Sequence, residues 1–395
     1  CPVRVKVVEP AVRAVVDRQP VNGHVVGVHH AVHKAHGHPF CHKLCLRFGN
    51  GANNAGIEPA VGVFIDGVYR SRAAAQIGDL PKLERVEVLS GPQSTLYGKN
   101  SSAGVISIVT AKPSDQEEGY VELGYGNYDR REIRGYVTGG NDDDNVAFSV
   151  GGSLIKRDGY GDGGRQPDNN NRDRWNIRAQ GLWTPTDNFE ARIIGDVSSI
   201  DEFCCSIGFV DAANGTAADG SSLNGLGVVA AYTALGGVAF GPFDYKTDFD
   251  RPSTNFVDDK GVSLHLDYDL GNGMAVTSIT SKRKNSGGYN SEIDYTSADL
   301  ATSLSLVNDI DTFTQELRIA STGDNTFNWL LGGFYFNEDI ESRTTLDYGA
   351  DIRAYIDFLA GGPDALNLIE AANGFAPGTA FFQEGQGTSE EFTQS

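Results

Sequence analysis

Over most of the chain, apolar and polar side chains alternate with a period of two. Val146, Phe148, Val150 and Leu154 alternate with Ala147, Ser149, Gly151 and Ser153. Trp175, Ile177, Ala179 and Trp183 alternate with Arg174, Asn176, Arg178 and Gln180. Phe189, Ala191, Ile193 and Val197 interleave with Glu190, Arg192 and Asp196, and Val262, Leu264, Leu266, Tyr268 and Leu270 with Ser263, His265, Asp267 and Asp269. Successive strand side chains point to opposite faces, so each run predicts a strand with one apolar and one polar face. Further strands are expected near 119–126, 130–138, 273–284, 311–321 and 326–338, and a tenth begins at Glu390.

Alternation alone fits a soluble sandwich with one wet face as well as a transmembrane barrel. The links separate the two. Taken in order, every second link is short: GGNDDDN, TPTDN, GNG and STGDNT. The others are GNYDR, a polar loop near 157–171, and longer stretches near 201–258, 285–310 and 339–390. Short turns at one end and long loops at the other are the pattern of outer-membrane barrels. Tyr120, Tyr125, Trp175, Trp183, Phe327, Trp329 and Tyr335 are candidates for the aromatic girdles of such a wall. Arg174, Arg178, Glu190, Arg192, Asp267, Asp269, Glu316 and Arg318 fall on the polar, inward face, and are expected to be solvated wall polarity rather than a ligand site.

Composition narrows the classes further. The 395 residues include 49 Gly, 20 Phe, 15 Tyr and a single Met, which favours strands and turns over helices. The net charge of -20 argues against nucleic acid as a partner. The longest uncharged run, Gly220 to Phe243, is too rich in Gly, Ser, Asn and Thr for a membrane helix. Seven of the eight His lie between His24 and His42, and Cys1, Cys41 and Cys45 sit in the same opening segment. HHAVHKAHGHPFCHKLC has the residue types of a zinc site, yet it shows no hydrophobic period and a composition foreign to the remainder of the chain. Residues 1–46 are therefore expected to be non-native or frame-shifted, with no metal site. Asp142, Asp143 and Asp144 read as a charged turn, and Cys204 and Cys205 either pair or remain free.

From Phe48 the character changes. VGVFIDGVYR places an Asp66-Gly67 hairpin turn in a β-rich run. LPKLERVEVLSGPQSTLYGKNSSAGVISIVTAKP then reads as strand, Gly91-Pro92 break and strand. Its GPQSTLYGKN is not a phosphate-binding loop, because the glycine spacing is wrong and Asn100 follows Lys99 where Ser or Thr would hold Mg²⁺.

FGNGANN, DGVYRSR and LERVEVLSGPQSTLYGKNSSAGVISIVTAKP together resemble, in order and spacing, the second half of the plug domain of TonB-dependent outer-membrane receptors. The resemblance implies a mainly β chain: an antiparallel transmembrane β-barrel, of about 22 strands in such transporters, with an α+β plug fragment in its lumen. Residues 47–114 then read as the C-terminal half of the plug, and 119–395 as the N-terminal part of the barrel with nine or ten of its strands. The chain stops mid-strand at EEFTQS and is expected to be a fragment. In the family an Arg precedes the Gly-Pro and joins the neighbouring acid in contacts between plug and barrel wall. Here that position is Ser90, which leaves Glu87 as the plug–barrel contact candidate.

The resemblance further implies energy-coupled uptake of a scarce bulky ligand such as a ferric siderophore, in the outer membrane of a Gram-negative bacterium. Its partners would be outer-membrane lipid and the TonB coupling protein of the inner membrane. The other reading is a passive porin-like or adhesive barrel, and a folded lumen domain argues against it. No catalytic constellation is present: His265 lies within a strand with no nucleophile placed beside it, so no enzyme and no cofactor is expected.

Overall fold

A computed structural model describes residues 59–71, 80–98, 100–141, 145–204, 233, 235–238, 240, 243–292, 297–323, 326–360 and 362–394. The opening segment 1–46, the FGNGANN stretch, Asp142 to Asp144 and Cys205 lie outside them.

Two sheets account for the fold. The smaller contains β1 (Val61–Ile65), β2 (Val68–Arg70), β3 (Leu83–Ser90) and β4 (Gly104–Thr110), in the order β2-β1-β4-β3. Asp66 (φ 50°) and Gly67 (φ 76°) close the β1–β2 hairpin in the left-handed conformations that a two-residue turn demands. β1 pairs parallel to β4. The crossover carries one helical turn, α1 (Ser94–Tyr97), after the Gly91-Pro92 break. Phe64, Tyr69 and Val105 form the buried core of this unit, with Tyr97 against Phe64 at 5.0 Å between ring centroids.

The larger sheet is an antiparallel meander of ten strands in sequence order. They are β5 (Glu118–Gly126), β6 (Arg130–Asn141), β7 (Val146–Arg157), β8 (Arg172–Thr186), β9 (Phe189–Phe203), β10 (Thr254–Asp269), β11 (Met274–Ser291), β12 (Ala301–Ser321), β13 (Leu330–Tyr348) and β14 (Gly387–Gln394). β5 and β14 are its two edges. The alternation predicted from sequence is the alternation observed. On β7, Val146, Phe148, Val150 and Leu154 are exposed while Ala147, Ser149 and Ser153 are buried. Trp183, Phe189 and Tyr268 line up near the short turns on the outward face, with centroids 5.9 and 6.3 Å apart. Tyr120 is no girdle residue. It points inward, stacks on Tyr136 and donates its hydroxyl hydrogen bond to the carbonyl of Pro81 in the smaller unit.

Several strands are longer than expected. β12 has 21 residues and β11 has 18, whereas about 9–11 tilted residues cross a bilayer. The stretch near 285–310 is therefore mostly strand, since β11 continues to Ser291 and β12 starts at Ala301. Polar segments such as NSGGYNS have no apolar face to betray them, because beyond the membrane both faces meet water. The long link after β13 also differs from expectation, holding α2 (Ile352–Leu359) and α3 (Ala365–Ala372).

Candidate functional site: the seam between plug and wall

The β1–β2 turn enters the inner face of the large sheet, and a buried ion network forms around it. Asp66 accepts hydrogen bonds from the Thr110 backbone and hydroxyl, both at 2.9 Å, which fixes its carboxylate at the tip of the plug. That carboxylate is paired with Arg178 of β8 and lies 3.6 Å from Arg192 of β9. Arg178 also reaches Asp196 at 3.1 Å, and Arg283 of β11 binds Asp196 at 2.6 Å and pairs with Asp259 of β10. Arg70, at the end of β2, lies 3.8 Å from Asp196 and 3.7 Å from Asp259. Four guanidiniums thus meet three carboxylates at the seam.

Local geometry explains why these side chains converge. Asp66 and Arg70 flank a tight hairpin, whereas Arg178, Arg192, Asp196, Asp259 and Arg283 occupy inward positions on four consecutive strands. Gly67 lets the turn come close: a Cβ there would meet Ile279 Cδ1 at 2.9 Å. Arg283 lies over Gly261, which leaves room for the guanidinium. Burying charge is tolerable only when it is paired and hydrogen-bonded, and each acid here has at least two donors.

Two further contacts seat the plug. Pro81 packs on Gly151 of β7, where a Cβ would be 2.6 Å from the Pro81 Cβ, and Lys82 lies over the Tyr136 ring at 4.9 Å. On the other side, Tyr69 meets Phe336 of β13 edge-on at 5.9 Å. Between these contacts a cavity of about 410 Å³ separates the plug from the wall, lined among others by Arg85, Glu87, Leu96, Glu316, Arg318 and Phe334.

The residues singled out from sequence divide accordingly. Glu87 accepts from Arg85 Nε at 2.7 Å within β3 and faces the cavity opposite Glu316 and Arg318. The ion pairs between β1–β2 and the wall are made by Asp66 and Arg70. Arg178 and Arg192, expected to be solvated wall, are buried against the plug. Glu316 and Arg318 pair with each other at 3.0 Å, Glu190 binds Lys112 at 2.5 Å, and Arg174 binds Glu202 at 2.7 Å. Asp267 accepts from Thr277 and Asp269 from the Gly271 backbone. In the sequence Asp66 is only a turn residue. The inward charges of β8 to β11 have the residue types of any solvated wall, so the sequence alone carries no signal for the seam.

At the long-loop end, side chains tie one link to another. Arg165 binds Asp248 at 2.9 Å and the carbonyl of Ser297 at 3.4 Å, and Asn169 donates to Thr247 at 2.7 Å. Cys204 is disulfide-bonded. In the β13–β14 link, Glu370 is fully buried and accepts from Arg353 at 2.9 and 3.0 Å and from the backbone of Ala380 and Phe381. The Arg353 bonds, helped by the backbone donors, hold its carboxyl well below the usual carboxylate range.

Residues 48–105 match the sequence profile of the TonB-dependent Receptor Plug Domain. The pesticin receptor of Yersinia pestis is 36% identical over 105 residues, 27% of this chain and 15% of that protein. The iron-regulated outer membrane virulence protein of Vibrio cholerae is 37% identical over 95 residues, 21% of this chain and 14% of its own length. The chain thus matches only a small part of these relatives. Among solved structures, the ferric yersiniabactin uptake receptor FyuA from Yersinia pestis superposes with a TM-score of 0.59 at 20% identity, covering 74% of this chain and 41% of that one. The siderophore receptor PiuA from Acinetobacter baumannii gives 0.53 at 14% identity, over 84% and 45%. These structures share the plug-and-wall fold. Residues 48–105 are thus a plug segment of the TonB-dependent receptor type, seated on an alternating antiparallel wall whose fold is that of these receptor structures.

Proposed function

We propose that the protein is a receptor for energy-coupled uptake of a scarce, bulky ligand, with a ferric siderophore as the expected cargo. The observation that carries this reading is the plug hairpin fixed in the wall through Asp66, Arg70 and their partners. A lumen occupied by a folded unit blocks diffusion, so passage requires displacing it. Displacement breaks buried charge pairs, and removing one partner of such a pair costs about 3–5 kcal/mol. That work comes from outside the lumen, and an inner-membrane coupling protein of the TonB type is the partner that fits. The names of the similar proteins, a ferric yersiniabactin uptake receptor and a siderophore receptor among them, support iron chelates as the ligand class. The loops tied by Arg165 and Asn169 lie at the long-loop end, the side from which a large ligand would arrive.

The test compares uptake of a panel of ferric siderophores into cells carrying the intact gene, with and without the coupling protein. Uptake that depends on the coupling protein is the expected result. Undiminished uptake without it overturns the active-transport reading in favour of a passive barrel. Energy-dependent uptake of vitamin B12 but of no siderophore would keep the mechanism and replace the ligand, a vitamin B12 transporter of Vibrio vulnificus being 34% identical over 103 residues.

A further inference from the structure

One titratable group under the plug stands beside the ion network rather than in it. His265 occupies an inward position on β10, half-buried, directly across from Arg192 on β9 and from Ile279 on β11. Its Nε2 lies 3.1 Å from the hydroxyl of Ser263, the next inward residue toward the long loops.

Arg192 is the cation that His265 adjoins, and it holds the plug. Its guanidinium donates to the Thr110 hydroxyl at 3.0 Å and to the Thr110 carbonyl at 3.3 Å, and lies 3.6 Å from Asp66. Its Nε donates to Gln180 at 2.9 Å. The other charges within electrostatic reach of the imidazole are Asp66 on the plug turn, Arg178 on β8 and Asp267 on its own strand. Asp267 already accepts from Thr277 at 2.6 Å, and Glu190, across from it on β9, binds Lys112 at 2.5 Å. From β11 the facing side chain is the apolar Ile279, against which the Gly67 turn packs. Asp259 and Arg283 lie further along the same face toward the long loops.

The balance of charge decides what a proton does here. Arg70, Arg178, Arg192 and Arg283 face only Asp66, Asp196 and Asp259, so the seam is already one carboxylate short. An imidazolium at position 265 would set five cations against three anions. Asp66 is the nearest acid on the plug, and it is already shared between Arg178 and Arg192. Burying a charge without a partner of its own is unfavourable. With the plug withdrawn, water reaches the ring and that penalty falls.

We propose that His265 is a proton-operated release for the plug: the neutral imidazole permits seating, and its protonation loosens Arg192 from Thr110 and Asp66. An imidazole in water takes up its proton near pH 6.5, flagged by composition as the one side chain poised there. Below about that value, seating and protonation compete. Each pH unit then shifts the balance toward the unseated plug by up to about tenfold, the limit for one proton. Acid therefore lowers the work needed to free the hairpin, whatever ligand the receptor carries.

The test follows hydrogen exchange of β1 and β4 in the intact receptor in detergent between pH 8 and pH 5, taken relative to β7 and β8 of the same molecules. The wild-type ratio should be flat down to about pH 6.5 and rise about tenfold by pH 5. His265→Gln should match the wild type at pH 8 and lose the rise. His265→Lys, a lasting cation, should show the raised ratio already at pH 8. Should His265→Gln fail to fold, His265→Asn serves in its place. A flat wild-type profile overturns the proposal. So does a rise of unchanged size in His265→Gln, which would assign the proton to Asp259, and so does a wild-type ratio in His265→Lys at pH 8. None of these readouts requires transport, so their failure is distinct from failure of the uptake assay.

Discussion

Asp66 at the tip of the plug hairpin and Arg178 on β8 form an ion pair whose side chains are 2% and 3% exposed. The sequence separates them by more than a hundred residues, and the pair exists only when plug and wall are assembled. It is the clearest single measure of whether the plug is seated.

Replacing Asp66 by Ala should unseat the plug. Arg178 and Arg192 would be left as buried charges with fewer partners, a loss of about 3–5 kcal/mol. Hydrogen exchange of β1 and β4 in the intact receptor should rise sharply, while that of β7 and β8 stays unchanged. Wild-type protection of the plug strands in Asp66→Ala would show that the network does not hold the plug.

Sterics at the second seat give an independent prediction. Gly151→Val places a branched side chain where Pro81 packs, and overpacking costs about 1–3 kcal/mol. Protease access to the segment around Pro81 should increase. Gly195→Ala, whose new methyl group meets nothing within 4 Å, is the control and should leave access unaltered.

The β13–β14 link should resist moderate acid. The Glu370 carboxyl is depressed by Arg353 and by backbone donors, so the folded state binds its proton later than the unfolded one. Its stabilisation is complete above the unfolded carboxylate value of about 4.3. It erodes as pH falls from there through the lower folded value. Glu370→Gln should expose the amides of α2 and α3 already at neutral pH. In the unsubstituted protein their protection should hold until the solution is more acidic than about pH 4. Loss of protection near pH 6 would contradict this assignment.

The open sheet predicts behaviour on gels. β5 and β14 each have one strand neighbour, and an unpaired edge in hydrocarbon costs several kcal/mol per unsatisfied backbone group. The 395-residue chain expressed alone should therefore lack the heat-modifiable mobility of a closed barrel. A heat-shifted band would mean that the edges find partners.

The wall is legible in the sequence because lipid on one side and a polar lumen on the other impose a period of two, and each strand records it separately. Strand ends are not legible wherever β11 to β13 rise beyond the bilayer, since water on both faces removes the pattern. α2 is readable in principle from Ile352, Tyr355, Ile356 and Leu359, spaced for one helix face. The plug is legible as a connected set of segments. The seam is not: Asp66 is a turn former by type, and Arg178 and Arg283 are indistinguishable from solvated wall charges until the hairpin is placed among them. Glu87 stands out by its neighbourhood in sequence, and its carboxylate is engaged by Arg85 on its own strand.

The parallel pairing of β1 with β4 has a mechanical consequence. Val61 to Ile65 run alongside Gly104 to Ile108, and β1 leads straight into Asp66. A tug on the chain ahead of Val61 loads the β1–β4 bonds side by side, in shear, so they resist together and do not open one after another like a zipper. The strand then acts as a tie-rod. Tension travels along it to its far end and arrives at the carboxylate held by Arg178, so the force is spent on the latch before it unravels the sheet.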